Sequence, residues 1–382
     1  MKKSAWFGCF ILTMFLIVSI GIPCSFGGVP KGGAELPKLL PSYKSVDELY
    51  AAIAKLPADQ RQEVILAGAL KEGKVVTYES ADEENITPVF KGFEKKYPGV
   101  KLEYFRGDAD ATVLKALNEI RADRWLFDYV SIGPGYGEFK KANALAKLYR
   151  LLPPGNFPKF AVGEDWFGTE LLPMVMAYNT TMVKASDAPK SYKDLLDPKW
   201  RGKVSIDTSP DNIITAMLKK WGREKTEDWI DKFVNVNKAL LRKGHTAQTK
   251  LLIAGEFPVA SELYVYRTEH LRESEKAPIE WLIPEDLAEG EIPLLGISRR
   301  APHPYAALLW MQYRLSKEGQ QIYAQFGRLP INADAEVKYP RLKQFFTHMD
   351  RLTVINSEED AGRFEEALGL IKKHFSPRLR GG

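Results

Sequence analysis

Four stretches of this chain set polar side chains where a strand gives way to a helix. They are Glu79-Ser-Ala-Asp82, Gly133-Pro-Gly-Tyr-Gly137, Thr208-Ser-Pro-Asp211 and Ser261-Glu262. A helix start presents unpaired N–H groups and the positive end of the helix dipole, and both favour an anion. Ser80, Thr208 and Ser209 add hydroxyl donors, and Gly133 adds a backbone N–H that a ligand can approach closely. An organic acid, a phosphonate or a phosphate ester suits such a lining. Glu79, Asp207 and Glu262 bring negative charge to the same strand ends, which suits an amine. Tyr78, Tyr136, Tyr178 and Tyr264 can frame a small organic solute. The residue types leave these ligand classes open.

Covalent and metal chemistries are poorly served. Gly133-Pro-Gly-Tyr-Gly137 has the spacing of neither the dinucleotide fingerprint nor the P-loop, so it reads as a structural turn with a backbone contact as its second role. The five histidines, 245, 270, 303, 348 and 374, form no short-spaced ligand set. His245, just before a helix that starts near Ala247, can face the cleft, with a surface or cap role the favoured reading. No Gly-x-Ser-x-Gly elbow is present, and nothing positions a Ser/His/Asp triad. No catalytic residue, cofactor or metal is assigned.

The first residues look like an export signal. Lys2 and Lys3 precede an almost wholly apolar run, residues 7–22, and Ser25-Phe-Gly27 offers small residues for cleavage. Sixteen apolar positions ahead of Pro23 are short for a membrane span, which needs about 20. The only cysteines, Cys9 and Cys24, lie in this leader. Cleavage after Gly27 leaves neither a disulfide framework nor a catalytic thiol. Pro23 matches a lipoprotein processing site poorly, so a free periplasmic or extracellular protein is expected ahead of one tethered through Cys24. The charges are mixed along the chain and nearly balanced once the leader is set aside, which is no nucleic-acid footprint.

A chain of 382 residues exceeds one compact core, so two domains are expected. After a leader rich in Gly, Pro and Lys, Ser45-Val-Asp-Glu48 forms a capping box before one short helix, and Pro57-Ala-Asp59 starts a second. From Lys74 strand and helix alternate: Val75-Val-Thr-Tyr78, a helix over residues 86–97, Val100-Lys-Leu-Glu-Tyr104, a helix over 110–120 with Leu114, Leu117 and Ile120 inward, then Phe127-Asp-Tyr-Val-Ser-Ile132. That order predicts a parallel sheet covered by helices, an α/β fold in which ligands sit beyond the carboxyl ends of the strands. A second such unit runs from about residue 175 to 293. Lys203-Val-Ser-Ile-Asp207 is its inner strand and Pro258-Val-Ala260 another. The segment 339–375 reads as mostly helical.

Several segments in order resemble the extracellular solute-binding proteins of ATP-binding-cassette importers, in their ferric-iron-type branch. They are Ala69-Leu-Lys-Glu-Gly-Lys-Val-Val-Thr-Tyr78, Phe93-Glu-Lys-Lys-Tyr-Pro-Gly99, the stretch 178–207, Ala254-Gly-Glu-Phe-Pro-Val-Ala260 and Gly327-Arg-Leu-Pro-Ile-Asn332. The resemblance implies a type II periplasmic-binding architecture, two α/β lobes joined by two crossing strands, at residues 172–179 and 291–298. It divides the chain into a signal peptide (1–27), an N-terminal helical extension (28–71), the first part of lobe 1 (72–173), lobe 2 (174–293), the lobe 1 return (294–338) and C-terminal helices packing on lobe 2 (339–382). Iron-binding members use adjacent tyrosines after the strand near Ala260. If Tyr264 matches the second, Leu263 occupies the first, and at most one expected iron ligand survives. Glu262, Tyr264 and Tyr266 offer hard oxygen donors of the kind a ferric ion takes.

The function expected is a monomeric, non-catalytic receptor that closes on a small molecule or ion and delivers it to the membrane permease of an importer. The residues expected to hold the ligand are Tyr78, Ser80, Gly133, Tyr178, Thr208, Ser209, Glu262 and Tyr264. The rivals are an enzyme on the same two-lobe fold and a sensory subunit that presents a bound solute.

Overall fold

The structure, a computed structural model, describes residues 43–107, 109–132, 135–347, 351–356 and 358–380. The expected signal peptide, Gly133 and His348 lie outside them. Among the described residues thirteen strands form two sheets. In chain order they are β1 (Lys74–Glu79), β2 (Lys101–Arg106), β3 (Tyr129–Ile132), β4 (Phe167–Gly168), β5 (Glu170–Asn179), β6 (Val204–Asp207), β7 (Leu240–Arg242), β8 (Val259–Tyr264), β9 (Ile279–Leu282), β10 (Ala288–Glu291), β11 (Leu294–Ile297), β12 (Leu329–Pro330) and β13 (Leu352–Ile355). The first sheet has the order β2-β1-β3-β11-β4, with β1 parallel to both β2 and β3. The second runs β13-β10-β5-β8-β6-β7, with β9 and β12 also on β5.

The inner parallel strands β1, β3 and β6 are rich in apolar residues because helices cover their sheets, while β2 at the edge alternates buried and exposed positions. On the first sheet the helix Glu83–Lys96 buries Ile86, Val89, Phe90 and Phe93. Those side chains join Val75, Leu102 and Trp310 in one core. The helix Ala109–Arg121 buries Leu117 but leaves Leu114 half exposed, at 56%, against the inward placement its spacing predicts. On the second sheet the helix Asp211–Trp221 packs Ile213, Ile214 and Met217 against the strands. The helix Ala361–His374 brings Phe364, Ala367, Leu370 and Ile371 to the same core. The C-terminal segment is not wholly helical: β13 lies parallel to β10 within it.

The helix Val46–Ala54 begins at Ser45, whose hydroxyl accepts from Glu48 N at 3.2 Å, while Glu48 accepts from Lys44 N at 2.9 Å. The helix Ala58–Glu72 lies against the helix Pro304–Leu315. Its last residue, Glu72, accepts the Ala306 N–H at 2.8 Å and so caps that helix.

Among the described residues the chain passes between the sheets three times, twice directly from strand to strand and once from β11 to β12 through residues 298–328. β4 ends at Gly168 in the first sheet and β5 starts at Glu170 in the second, so Thr169 is the whole of one passage. Ile292 and Pro293 make the return between β10 and β11. The two passages touch: Thr169 N and Oγ1 donate to the Pro293 carbonyl at 2.9 and 3.3 Å. The first passage therefore precedes the expected one. Residues 172–179, and with them the expected lobe boundary at 173/174, lie inside β5, which is buried along its whole length. That apolar run is a sheet centre rather than a connector.

Candidate functional site

A cleft of about 500 Å³ opens between the carboxyl ends of β1 and β3 on one side and of β6 and β8 on the other. Ser80, Asp82 and Ser131 line it from the first sheet, and Thr208, Ser209 and Tyr264 from the second. Strand-end reasoning thus brings four of the expected residues together: Ser80, Thr208, Ser209 and Tyr264. Glu262 lies just beneath the surface, 1% exposed, with its carboxylate toward His245. Tyr78 and Tyr178 do not line the cleft. Side chains alternate along a strand. Tyr78 therefore faces away from its neighbour Glu79 and donates its hydroxyl to Glu119 at 2.8 Å. Tyr178 is packed in the second-sheet core beside Met176 and Val204. Tyr136, offered as a ring to frame a solute, is buried against Trp166 and donates to Asp165 at 2.8 Å.

Asp207, the last residue of β6, organises the second-lobe wall. One carboxylate oxygen accepts from Ser209 N at 2.9 Å. The other accepts from Gly244 N at 2.7 Å and Gln248 Nε2 at 3.3 Å. These bonds fix both the Thr208-Ser209 turn and the start of the helix His245–Ile253. Gly244 has a φ of 84°, a left-handed value that suits glycine. The turn it makes delivers His245 to the cleft, the alternative to the surface or cap role favoured for it. The imidazole stands 3.7 Å from Glu262 and 4.0 Å from Asp207, with its ring 4.9 Å from that of Tyr264. Burial opposes its charge, but Glu262 and Asp207 outweigh that and raise its pKa. Burial likewise pushes Glu262 up, with His245 pulling it back.

The sequence reading missed the charged floor of the cleft. Arg328 stacks on the Tyr266 ring at 3.7 Å and donates to Asp82 at 3.1 Å and Glu170 at 3.3 Å. Arg314 also lines the cleft and stands 3.9 Å from Glu79. Glu291 accepts from Asn212 at 2.8 Å; burial, then Asp211, pushes its pKa up to about 7. One signal was available. Arg314 is the sole charge in the helix Pro304–Leu315, all of whose residues are buried. A charge in a stretch with no solvent-facing side faces something polar inside.

Two bonds near the mouth join the walls, and a third ties the floor to one of them. Tyr266 Oη and Arg328 meet on Asp82, and Arg267 donates to Glu84 at 2.8 Å. Among the described residues no cluster of three or more His, Cys, Asp or Glu side chains is arranged to hold a metal ion, and no helix is long and apolar enough to cross a membrane.

A family model described as bacterial extracellular solute-binding protein matches residues 152–347. Iron uptake protein A1 of Synechocystis sp. is 27% identical over 224 residues, spanning 52% of this chain and 60% of that relative's length. Among solved structures, the apo ferric ion-binding protein A of Pasteurella haemolytica superposes with a TM-score of 0.68 at 21% identity, covering 79% of this chain and 97% of that one. The periplasmic binding protein AfuA of Actinobacillus pleuropneumoniae, with fructose-6-phosphate bound, gives 0.61 at 22% identity, covering 79% and 97%. At these identities the superpositions establish the two-lobe fold.

Proposed function

The chain belongs to the bacterial extracellular solute-binding proteins, the ligand-capturing receptors of ATP-binding-cassette importers, and we propose that it is the exported receptor subunit of such an importer. It captures a small solute between its lobes, closes on it by rotation about the Thr169 and Ile292-Pro293 passages, and presents the closed form to a membrane permease. The observation that carries this reading is a polar cleft bounded by two separate sheets whose two direct strand-to-strand passages lie side by side. Ligand held in such a cleft touches both sheets, so its binding energy favours the closed arrangement.

The lining suits an organic solute better than a bare ferric ion. A ferric site wants several anionic oxygens free to converge. Here Tyr266 donates its hydroxyl to Asp82 and carries a guanidinium on its ring face, Glu262 is turned to His245, and buried Leu263 stands beside Tyr264. Iron in the names of similar proteins therefore does not set this chain's cargo.

The test is a thermal-shift screen of the chain against ferric citrate, phosphonates, organic acids, polyamines and thiamine, followed by small-angle scattering on any hit. A solute at 100 times its dissociation constant adds about 2.7 kcal/mol of stability. The receptor reading expects that shift together with a smaller radius of gyration and no chemical change in the solute. Turnover of the solute would make the protein an enzyme on this fold and sink the reading.

A further inference from the structure

We propose that Arg314 anchors the ligand, and that it selects a solute carrying an oxyanion, a carboxylate or a phosphate group. The inference rests on the receptor reading above and names the ligand class of that same cleft.

Arg314 is 3% exposed, yet it belongs to the lining of the cleft. Its Nε and Nη1 are buried without a hydrogen-bond partner. Its nearest carboxylate, on Glu79, is 3.9 Å from Nη2, beyond hydrogen-bonding reach. That same Glu79 oxygen is itself buried without a partner, while the other accepts from Thr77 Oγ1 at 3.2 Å. A buried charge with unmade hydrogen bonds is among the costliest groups a fold can carry. Contrast Arg328, the other buried guanidinium of the cleft, whose donors go to Asp82 and Glu170 and whose face lies on Tyr266.

Arg314 is held in place by other means. It sits in the last turn of the helix Pro304–Leu315, where the dipole favours a cation, and 5.3 Å from the ring of Tyr323. The guanidinium fork is the side chain that best matches a carboxylate or phosphate, through two parallel N–H donors. Across the cleft, Ser209, His245, Tyr264 and Glu291 offer hydroxyl, imidazole and carboxylate groups to the polar remainder of the solute.

The experiment uses the full chain, Arg314→Met and Arg314→Lys, with calorimetric titration and thermal melting. The probes are gluconate, fructose 6-phosphate, neutral fructose and spermidine. Gluconate or fructose 6-phosphate is expected to bind and fructose is not; the stronger of the two tells carboxylate from phosphate. Arg314→Met is expected to lose ~50-fold in affinity and Arg314→Lys less, by the worth of hydrogen bonds to a charged group. Without ligand, Arg314→Met is expected to melt above the parent chain, because it removes an unsatisfied buried charge. A lower ligand-free melting temperature would make Arg314 a structural partner of Glu79 and overturn the inference. So would unchanged affinity in Arg314→Met, or fructose binding as tightly as its phosphate. A shift with spermidine alone would remove the oxyanion while leaving the receptor reading intact. Silence from all four probes would also remove the oxyanion, and the broader solute screen then decides the receptor reading on its own.

Discussion

The hydroxyl of Tyr266, just after β8, donates to the carboxylate of Asp82, just after β1, at 2.9 Å, so one hydrogen bond spans the two lobes. Asp82 also accepts from Arg328 at 3.1 Å, which fixes the acceptor. Tyr266→Phe keeps the ring under Arg328 and deletes only the bond. It is expected to weaken ligand binding by ~10-fold, the worth of one hydrogen bond to a charged group, and to enlarge the radius of gyration of the ligand-free protein. Titration and scattering on the same sample check both effects. Unchanged values would mean that the bond does not bias closure.

Glu291 makes stability depend on pH. Its folded-state pKa of about 7 lies above the ordinary 4.5 because burial, and then Asp211, disfavour the charge. The neutral form is favoured in the folded state, so this contribution is fully present below pH 4.5 and is lost as pH rises through 7. Glu291→Gln is expected to flatten the stability profile between pH 5 and 8 and to stabilise the protein at pH 8 by about 2 kcal/mol. Urea titrations across that range read it directly, and a mutant profile parallel to the parent's would refute the assignment.

Asp207 holds two loops through acceptors that an amide cannot all replace. Asp207→Asn turns one oxygen into a donor facing other donors, at Ser209 N or at Gly244 N and Gln248 Nε2. The expected loss is about 2 kcal/mol of stability, read by urea unfolding. Faster hydrogen exchange at Thr208, Ser209 and His245 should accompany it. A loss without local exchange would place the effect elsewhere.

The N-terminal helices are docked by close contact rather than by a loose overlay. A Cβ on Gly68 would stand 2.2 Å from the Tyr305 ring. Gly68→Ala is therefore expected to cost about 2 kcal/mol through overpacking, despite the better helix propensity of alanine. Adding Tyr305→Ala should recover part of that loss. Additive thermal-melting effects in the pair would argue against the contact.

Periodicity made three strands of the first sheet legible: β1 and β3 as short apolar runs and β2 by its alternation, each next to an amphipathic helix. β10 was not. Its Ala-Glu-Gly-Glu sequence has no strand character of its own and is held by β5 and β13 on either side. β13, Leu-Thr-Val-Ile, has strand character but is short and sits among helical neighbours. In the cleft, the strand-end rule found Ser80, Thr208, Ser209 and Tyr264, because they follow directly from where strands stop. It mistook Tyr78 for a lining residue: the side chain turns to Glu119 on the helix Ala109–Arg121, and the lining starts beyond the strand at Ser80. Glu291, Arg314 and Arg328 come from a strand, a helix and the residue before another strand, and no local motif joins them. His245 needed the positive φ of Gly244, which sequence offers only as a glycine among many.

The passages at Thr169 and at Ile292-Pro293 are one and two residues long and are bonded to each other. Two short pins set side by side favour a single swing and resist shear and twist, while the longer connection over residues 298–328 follows it. Solutes of different size would then stop that swing at different angles along one arc rather than send the lobes along different routes. A permease docking on both lobes would need to gauge one angle only, whatever the cargo, so the choice of solute can change through the cleft residues alone while the docking faces stay as they are.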